Sequence, residues 1–278
     1  MIDLIFPDGS KRSFESGVTG RQVAQSIAPS LAKRAVLVKL DGELLDVDRP
    51  LEKGGKFEIL GRDAPEALET IRHDVSHILA EAVQELFPGT QVTIGPAIED
   101  GFYYDFEVDE PFTPEDLAAF EAEMRRVAQE KLAFERAEVS RDVARRVFAD
   151  DPLKLERIQD LGADEIISTY RDGDFTDLCR GPHVQDTSYL KHFKLLNTAG
   201  AYWRGDSNRQ MLQRIYATAF FRKEELDAYL HRIEEAKKRD HRLLGKQLDL
   251  VMLHQVSPGA AFWTPRGTQL YNTIVDFV

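Results

Sequence analysis

The feature that most constrains this chain is an apolar stripe at helical spacing that starts shortly after residue 65. Leu68, Ile71, Val75, Ile78, Leu79, Ala82 and Leu86 recur every three or four positions, the interval that lines up side chains on one face of a helix. Pro65 suits a first helical turn, Asp63 and Glu66 read as a capping-box-like start, and Pro88-Gly89 ends the pattern. So long a one-sided helix needs a surface on which to bury its stripe. Residues 92–98, a turn at Glu99-Asp100-Gly101 and residues 102–108 predict a hairpin. Thr113-Pro114-Glu115-Asp116 opens a second amphipathic helix to about Leu132, and Ser140 is placed to cap another. Strand-like runs follow at 165–171, 193–198 and 210–220. The mixture predicts an α+β domain over residues 62–222 with a mainly antiparallel sheet.

Residues 1–61 predict a smaller α+β domain. Residues 2–6 alternate like a strand, Pro7-Asp8-Gly9-Ser10 is a turn, and residues 11–14 return as a hairpin partner. Thr19 caps a short helix over 20–27, and strands follow at 35–40 and 56–60. That succession points to a β-grasp, ubiquitin-like domain, and it contains no catalytic set. Residues 223–248 predict a charged helix; from Ala236 to Lys246 it carries Lys237, Lys238, Arg239, Arg242 and Lys246 against the single acid Asp240. It is either a solvated linker or a face that touches RNA phosphates. Residues 249–278 read as the opening of a further, truncated domain. After the break at Ser257-Pro258-Gly259 they run into an apolar helical pattern with Leu270, Ile274, Val275, Phe277 and Val278.

Composition bounds the class. A chain of 278 residues, 42% hydrophobic and 30% charged, has the balance of a soluble protein with two or three units. No apolar run approaches the roughly 20 residues of a bilayer span. The start, Met1 to Phe6, has neither a basic region nor a small-residue cleavage site. A cytoplasmic protein is expected. The single cysteine, Cys179, excludes a disulfide within the chain. A net charge of −12 argues against non-specific coating of nucleic acid. It leaves room for a local basic surface that grips one RNA.

Two pairs carry the chemistry. His73 and His77 lie one turn apart on the first long helix, and Cys179 and His183 have the same spacing in Asp177-Leu178-Cys179-Arg180-Gly181-Pro182-His183, where Gly-Pro implies a loop. At about 100° per residue, both histidines point away from the apolar stripe. They are therefore either exposed or covered by a second surface, and the Cys179–His183 loop offers one. Imidazole and thiolate are zinc ligands. Without metal, a histidine can position or activate water and other donors can hold an ester carbonyl. Asp177 can orient a histidine or recognise an amino group. The residues alone leave these roles open.

Several longer stretches give the chain a resemblance to bacterial threonyl-tRNA synthetases over essentially its whole length. They are His73-Asp74-Val75-Ser76-His77, the run from Ile94 to Asp105, Asp177 to His183, the run from Thr198 to Asp206, and Arg239 to Lys246. The resemblance implies a TGS domain at 1–61, an editing domain related to that of alanyl-tRNA synthetase at 62–222, a linker helix at 223–248 and the truncated start of a class II catalytic core at 249–278. It implies hydrolysis of serine wrongly attached to threonine tRNA, because a synthetic site for threonine discriminates against the missing methyl by only about 1–3 kcal/mol. The implied editing residues are His73, His77, Cys179, His183, Asp177 and Lys154, with Tyr104 and Gly95 shaping the substrate pocket. Lys237, Lys238, Arg239 and Arg242 are the candidates for tRNA contact.

Editing in the family generally works with positioned water and requires no cofactor. Zinc on His73, His77, Cys179 and His183 stays open, because the alanyl relatives use this ligand pattern. ATP and the zinc of the synthetic site belong to the absent part of the core, so no ligase activity is expected. The full-length parent is expected to be a homodimer and this stretch a monomer. Two alternatives remain: a tRNA-binding fragment without turnover, and an unrelated zinc hydrolase of the His-x-x-x-His kind. The second fails at its general base, because Asp74 stands where such enzymes carry glutamate.

Overall fold

The fold is taken from a computed structural model that describes residues 1–93 and 95–278. Ile94, inside the strand expected at 92–98, lies outside the described residues. The chain forms two compact units, Met1–Leu226 and Asp227–Val278.

The first unit opens with the β-grasp expected from the sequence. Strands β1 (Ile2–Ile5) and β2 (Lys11–Phe14) form the hairpin; β3 (Val18–Thr19), α1 (Gly20–Ile27) and α2 (Pro29–Arg34) cross over; β4 (Leu37–Leu40), β5 (Glu43–Asp46), β6 (Pro50–Leu51) and β7 (Gly55–Leu60) follow. The sheet order is β2-β1-β7-β4-β5, with β1 and β7 parallel at its centre. Thr19 and Gln22 cap α1 reciprocally, which satisfies two otherwise orphaned backbone donors. The core of this domain is apolar, built around Leu4, Val23, Val38 and Phe57.

The central domain is organised on α3 (Pro65–Leu86), followed by β8 (Gln91–Val92), β9 (Ala97–Ile98), β10 (Gly101–Glu107) and α4 (Pro114–Glu130). Then come β11 (Glu135–Val139), α5 (Arg141–Val147), α6 (Pro152–Asp160), β12 (Ile167–Asp172), β13 (Phe175–Leu178), β14 (His192–Tyr202) and β15 (Met211–Phe220). One antiparallel sheet runs β14-β15-β10-β8, with β9 also on β10, and a second runs β11-β12-β13. The stripe of α3 from Ile71 to Ala82 is buried in one cluster with Phe102, Phe106 and Ile215 of the larger sheet and Phe120 and Met124 of α4, while Leu68 is half-buried and Leu86 is exposed. A fully buried side chain such as Ile78 contributes about 1.5–3 kcal/mol. Val36, Leu37 and Leu60 of the opening domain belong to the same cluster.

Three local expectations are corrected. Asp63 and Glu66 do not cap α3: its N-cap is Ala64, with no side-chain cap. Asp63 instead pairs with Arg222 at 2.6 Å and Glu66 with Lys39 at 2.5 Å; both carboxylates find full cations, whereas exposed backbone donors are satisfied by water. The helix α6 went unread, although Asp151 caps it and Pro152 occupies its first turn. The charged helix over 223–248 is two helices, α7 (Lys223–Lys238) and α8 (His241–Gln247), because Asp240 turns its side chain to cap α8. The second unit ends with β16 (Val251–Leu253), β17 (Ala261–Trp263) and α9 (Pro265–Phe277). Among the described residues, no helix is long and apolar enough to cross a membrane.

Candidate active site

The side of α3 opposite its stripe presents His73 and His77, and a second surface does cover them. That surface is the end of β13 and the loop after it. The ligand-type atoms of His73, His77, Cys179 and His183 all lie within 4.8 Å of one another. His73 Nε2 is 3.0 Å from Cys179 Sγ, and His183 Nε2 is 3.2 Å from it on another side. The Gly181 amide donates to the same sulfur at 3.3 Å. Gly181 has φ +75°, and a Cβ there would stand 2.2 Å from the Tyr170 hydroxyl, so this turn around the sulfur requires glycine.

Each imidazole turns its Nδ1 toward an acceptor. His73 Nδ1 donates to the Gly95 carbonyl at 3.2 Å, His183 Nδ1 sits 2.7 Å from Asp74 Oδ1, and His77 Nδ1 sits 3.6 Å from Asp177 Oδ2. All three Nδ1 atoms face acceptors, and the His73 and His183 Nε2 atoms face the sulfur. Gly95 is glycine for a packing reason: a Cβ would lie 2.2 Å from Ser76 Oγ and 2.4 Å from the Tyr104 ring.

Lys154, from the first turn of α6, reaches the same place. Its ammonium forms an ion pair with Asp177 Oδ1. Asp177 also accepts from the Tyr104 hydroxyl at 3.2 Å and the Leu178 amide at 2.6 Å. Of the two roles open to Asp177, orienting His77 fits better, because partners already occupy both carboxylate oxygens.

The electrostatics divide the histidines. Burial pulls the His73 pKa down, but the facing Cys179 more than offsets this and leaves it raised. For His183, burial is again outweighed, by Asp74 and Cys179, and the pKa stands well above the usual value. Burial favours the Cys179 thiol, yet His73 and His183 hold its pKa well below normal. His77 is lowered, chiefly by burial, and is neutral near pH 7. Burial opposes charge on Asp177, but Lys154 and His77 prevail and lower its pKa. Burial and the Asp177 charge push Tyr104 far up, so it remains a neutral donor.

A cavity of about 330 Å³ opens beside this cluster. His73, His77, Lys154, Asp177, Cys179 and Gly95 line it, joined by Thr93, Arg157, Ser168 and Arg180. Among the described residues, His183 and Tyr104 stand behind the wall rather than in it. Tyr104, expected as a pocket wall, acts on Asp177 and Lys154 from the core.

Sequence reasoning missed Asp74 as a partner. A carboxylate on the apolar side of α3, next to Val75 and fully buried, was its available signal. Thr93 and Ser168 carried none. The basic set lies apart in the chain, with Lys237 and Lys238 in α7, Arg239 in the break and Arg242 in α8.

The donor set also fits a metal ion. Three imidazoles with Nδ1 facing a carboxylate or carbonyl and one low-pKa thiolate resemble a zinc centre with outer partners beside its ligands. Without metal, protons on the two Nε2 atoms facing the sulfur fill the same role, and metal binding would release them.

Comparison with known proteins adds an independent line. Residues 2–60 match the TGS domain family, and residues 167–216 match the family described as the threonyl and alanyl tRNA synthetase second additional domain. The chain is 56% identical over 281 residues to a threonine–tRNA ligase of Phenylobacterium zucineum (strain HLK1), covering 100% of this chain and 43% of that protein. It is 54% identical over 287 residues to one of Caulobacter sp. (strain K31), covering 100% and 44%. It is 53% identical over 279 residues to one of Geobacter sp. (strain M21), covering 99% and 44%. The chain thus spans less than half the length of the curated relatives it matches.

Proposed function

This chain belongs to the threonyl-tRNA synthetases, as their N-terminal region with a TGS domain and an editing-associated domain, and on that premise we propose that its central cavity hydrolyses serine wrongly esterified to threonine tRNA in the cytoplasm. The observation that carries this reading is the convergence of His73, His77 and Cys179 on one wall of a cavity, with Lys154 and Asp177 beside them.

Water is the nucleophile in this reading. It adds to the ester carbonyl, the bond to the ribose oxygen breaks, and serine and a free tRNA hydroxyl result. His77, its pKa lowered by burial and its Nδ1 turned toward Asp177 at 3.6 Å, is the base that takes the proton from water. His73 lines the cavity with Nδ1 on the Gly95 carbonyl and Nε2 on the Cys179 sulfur, and it would leave the sulfur to donate to the ester carbonyl or to the leaving oxygen. Cys179 anchors both His73 and His183; three donors already occupy its sulfur, which blunts it as a nucleophile. The same four residues would hold a zinc ion, which when bound supplies a Lewis acid beside the ester.

A second reading is favoured by the depressed Cys179 pKa: the thiolate itself attacks and a serine thioester forms before hydrolysis. Incubation with serine-charged and threonine-charged threonine tRNA tests the proposal. The serine ester is expected to be lost and the threonine ester spared. Equal loss of both, or loss of neither, rejects editing by this cavity. A serine thioester trapped on Cys179 would select the second reading over water attack.

A further inference from the structure

We propose that Asp46, in the opening β-grasp domain, is a positioning residue for the hydrolytic site of the central domain, an inference that rests on the editing function proposed above. Asp46 closes β5 at the edge of its sheet. Its carboxylate leaves its own domain and grips two elements of the other. Oδ1 accepts from the His183 backbone amide at 2.6 Å, and Oδ2 accepts from the Tyr170 hydroxyl at 2.7 Å.

Both contacts converge on one imidazole. The Tyr170 ring lies 4.0 Å from the His183 ring, centroid to centroid, with Phe134 stacked at 4.9 Å on the same imidazole. The Tyr170 hydroxyl also packs where Gly181 has no side chain. A third tie comes from the same domain: the Val36 carbonyl accepts from Gln185 Nε2 at 2.8 Å. The loop that carries Cys179 and His183 is thus tied twice to the opening domain, at His183 and at Gln185. On the central-domain side, Asp74 accepts from the Val184 amide at 2.9 Å.

The physical consequence follows from what sets His183 in place. Asp74 fixes its Nδ1 and so directs Nε2 at Cys179, but the backbone height of the loop is set by the Asp46 bond. Without it the His183 amide loses its acceptor in a largely buried place, and the loop shifts to find another. His183 would then move relative to Cys179, and Cys179 relative to His73. The opening domain reaches the loop through this carboxylate and the Val36 carbonyl, and of the two only Asp46 bonds to His183 itself.

Substitution of Asp46 in the full 278-residue chain tests the inference. Asp46→Ala is expected to lower kcat for the serine ester about 10–100-fold, the range for losing a hydrogen bond that orients an active-site ligand, with KM nearly unchanged. Asp46→Asn can accept from the His183 amide and donate to the Tyr170 oxygen, and is expected to restore most of the rate. Asp48→Ala, which removes an exposed pair with Arg21 in the same domain, is expected to leave kcat as it was. Unchanged kcat in Asp46→Ala, or equal loss in the alanine and asparagine variants, overturns the assignment.

Should Asp46→Ala fail to fold, Tyr170→Phe decides: a fall in kcat at constant KM supports the link, and an unaltered kcat refutes it. Should the unsubstituted chain not cleave the serine ester at all, the editing reading fails by itself. Hydrogen exchange of the amides at 179–185 then still judges the positioning role, with faster exchange confined to that loop in Asp46→Ala expected and no change refuting it.

Discussion

The two domains of the first unit bury different things. The opening domain, residues 1–60, buries apolar side chains, and every fully buried polar or charged residue among those described lies between Thr70 and Thr218. Burial of charge is unfavourable unless each group finds a partner. The central domain nonetheless buries Asp74, His77, Lys154, Asp177 and His183 within one network. The difference separates a domain whose interior serves its stability from one whose interior serves a site. Substitutions in the two interiors should therefore fail differently.

The largest expected effect is on rate without stability. His73→Ala should reduce hydrolysis of serine-charged tRNA by about 10²–10⁴-fold, the usual contribution of a proton-handling group, with substrate still bound and the melting temperature nearly unchanged. Cys179→Ala should slow the reaction less. A fully active His73→Ala would remove the catalytic assignment and make the central interior as inert as that of the opening domain. By contrast, Phe57→Ala in the β-grasp core should lower stability by about 3–5 kcal/mol, seen as a lower denaturation midpoint. If it abolished hydrolysis at a temperature where the chain is still folded, the separation of roles would be lost.

Lys154→Met ranks next, because it touches both properties. It removes the cation from a buried pair and leaves the Asp177 carboxylate with only the Tyr104 hydroxyl, the Leu178 amide and the neighbouring His77 to offset its charge. Breaking such a pair on one side is destabilising by about 3–5 kcal/mol. Lys154→Met with Asp177→Asn should recover much of that stability but not the rate, since His77 would still lack its carboxylate. Recovery of both would place Lys154 and Asp177 in the scaffold alone.

How far these roles were readable depends on the range of the interaction. The pairing of His73 with His77 and of Cys179 with His183 is local spacing, and the helix face showed that both histidines turn away from the apolar stripe but left exposure and a covering surface as equal options. The β-grasp was legible because each of its strands alternates or ends at a turn within a few residues. Asp46 was not legible: its role arises only when β5 meets a loop more than a hundred residues later. The cap of α3 was misread for the same reason, since Lys39 and Arg222, the cations that claim Glu66 and Asp63, come from other elements. Asp240 was read as one acid in a basic helix, and nothing local distinguished that from its role as a cap.

A smaller effect concerns pH. Glu81 of α3 is raised to about 8, by burial first and then by the charge of Asp172. Asp172, at the end of β12, is raised to about 7, chiefly by burial, with His183 opposing. Unfolded carboxyls titrate near pH 4, so between about pH 4 and 8 the folded chain holds more protons on these groups than the unfolded one. Their contribution to stability therefore declines as pH rises through that window. The melting temperature should fall from pH 5 to pH 9 more in the parent chain than in Glu81→Gln with Asp172→Asn. Equal slopes would mean that these two acids have found partners.

The smallest expected effect lies outside both domains, in the basic residues of α7 and α8. A patch that grips phosphate releases counterions condensed on the RNA, and each phosphate contact removed should lower the slope of log K against log salt by about 1. Much of the positive charge here is already engaged locally: Lys238 and Arg239 pair with Glu235 at 2.8 and 3.3 Å, and Arg242 pairs with Asp240 at 2.7 Å. Exposed pairs of this kind contribute little to stability, but they lower the field a phosphate would feel. Asp240 must also keep its side chain on the start of α8, so it is not released to let Arg242 turn outward. Lys237 makes no ion pair among the described residues. Lys237→Ala should accordingly flatten the salt dependence of tRNA binding more than Arg242→Ala, with each change under about one unit of slope. Glu235→Gln, which frees Lys238 and Arg239, should steepen it. Salt slopes unaltered in all three variants would leave α7 and α8 as a connector that RNA does not touch, and would place all tRNA affinity of this chain elsewhere.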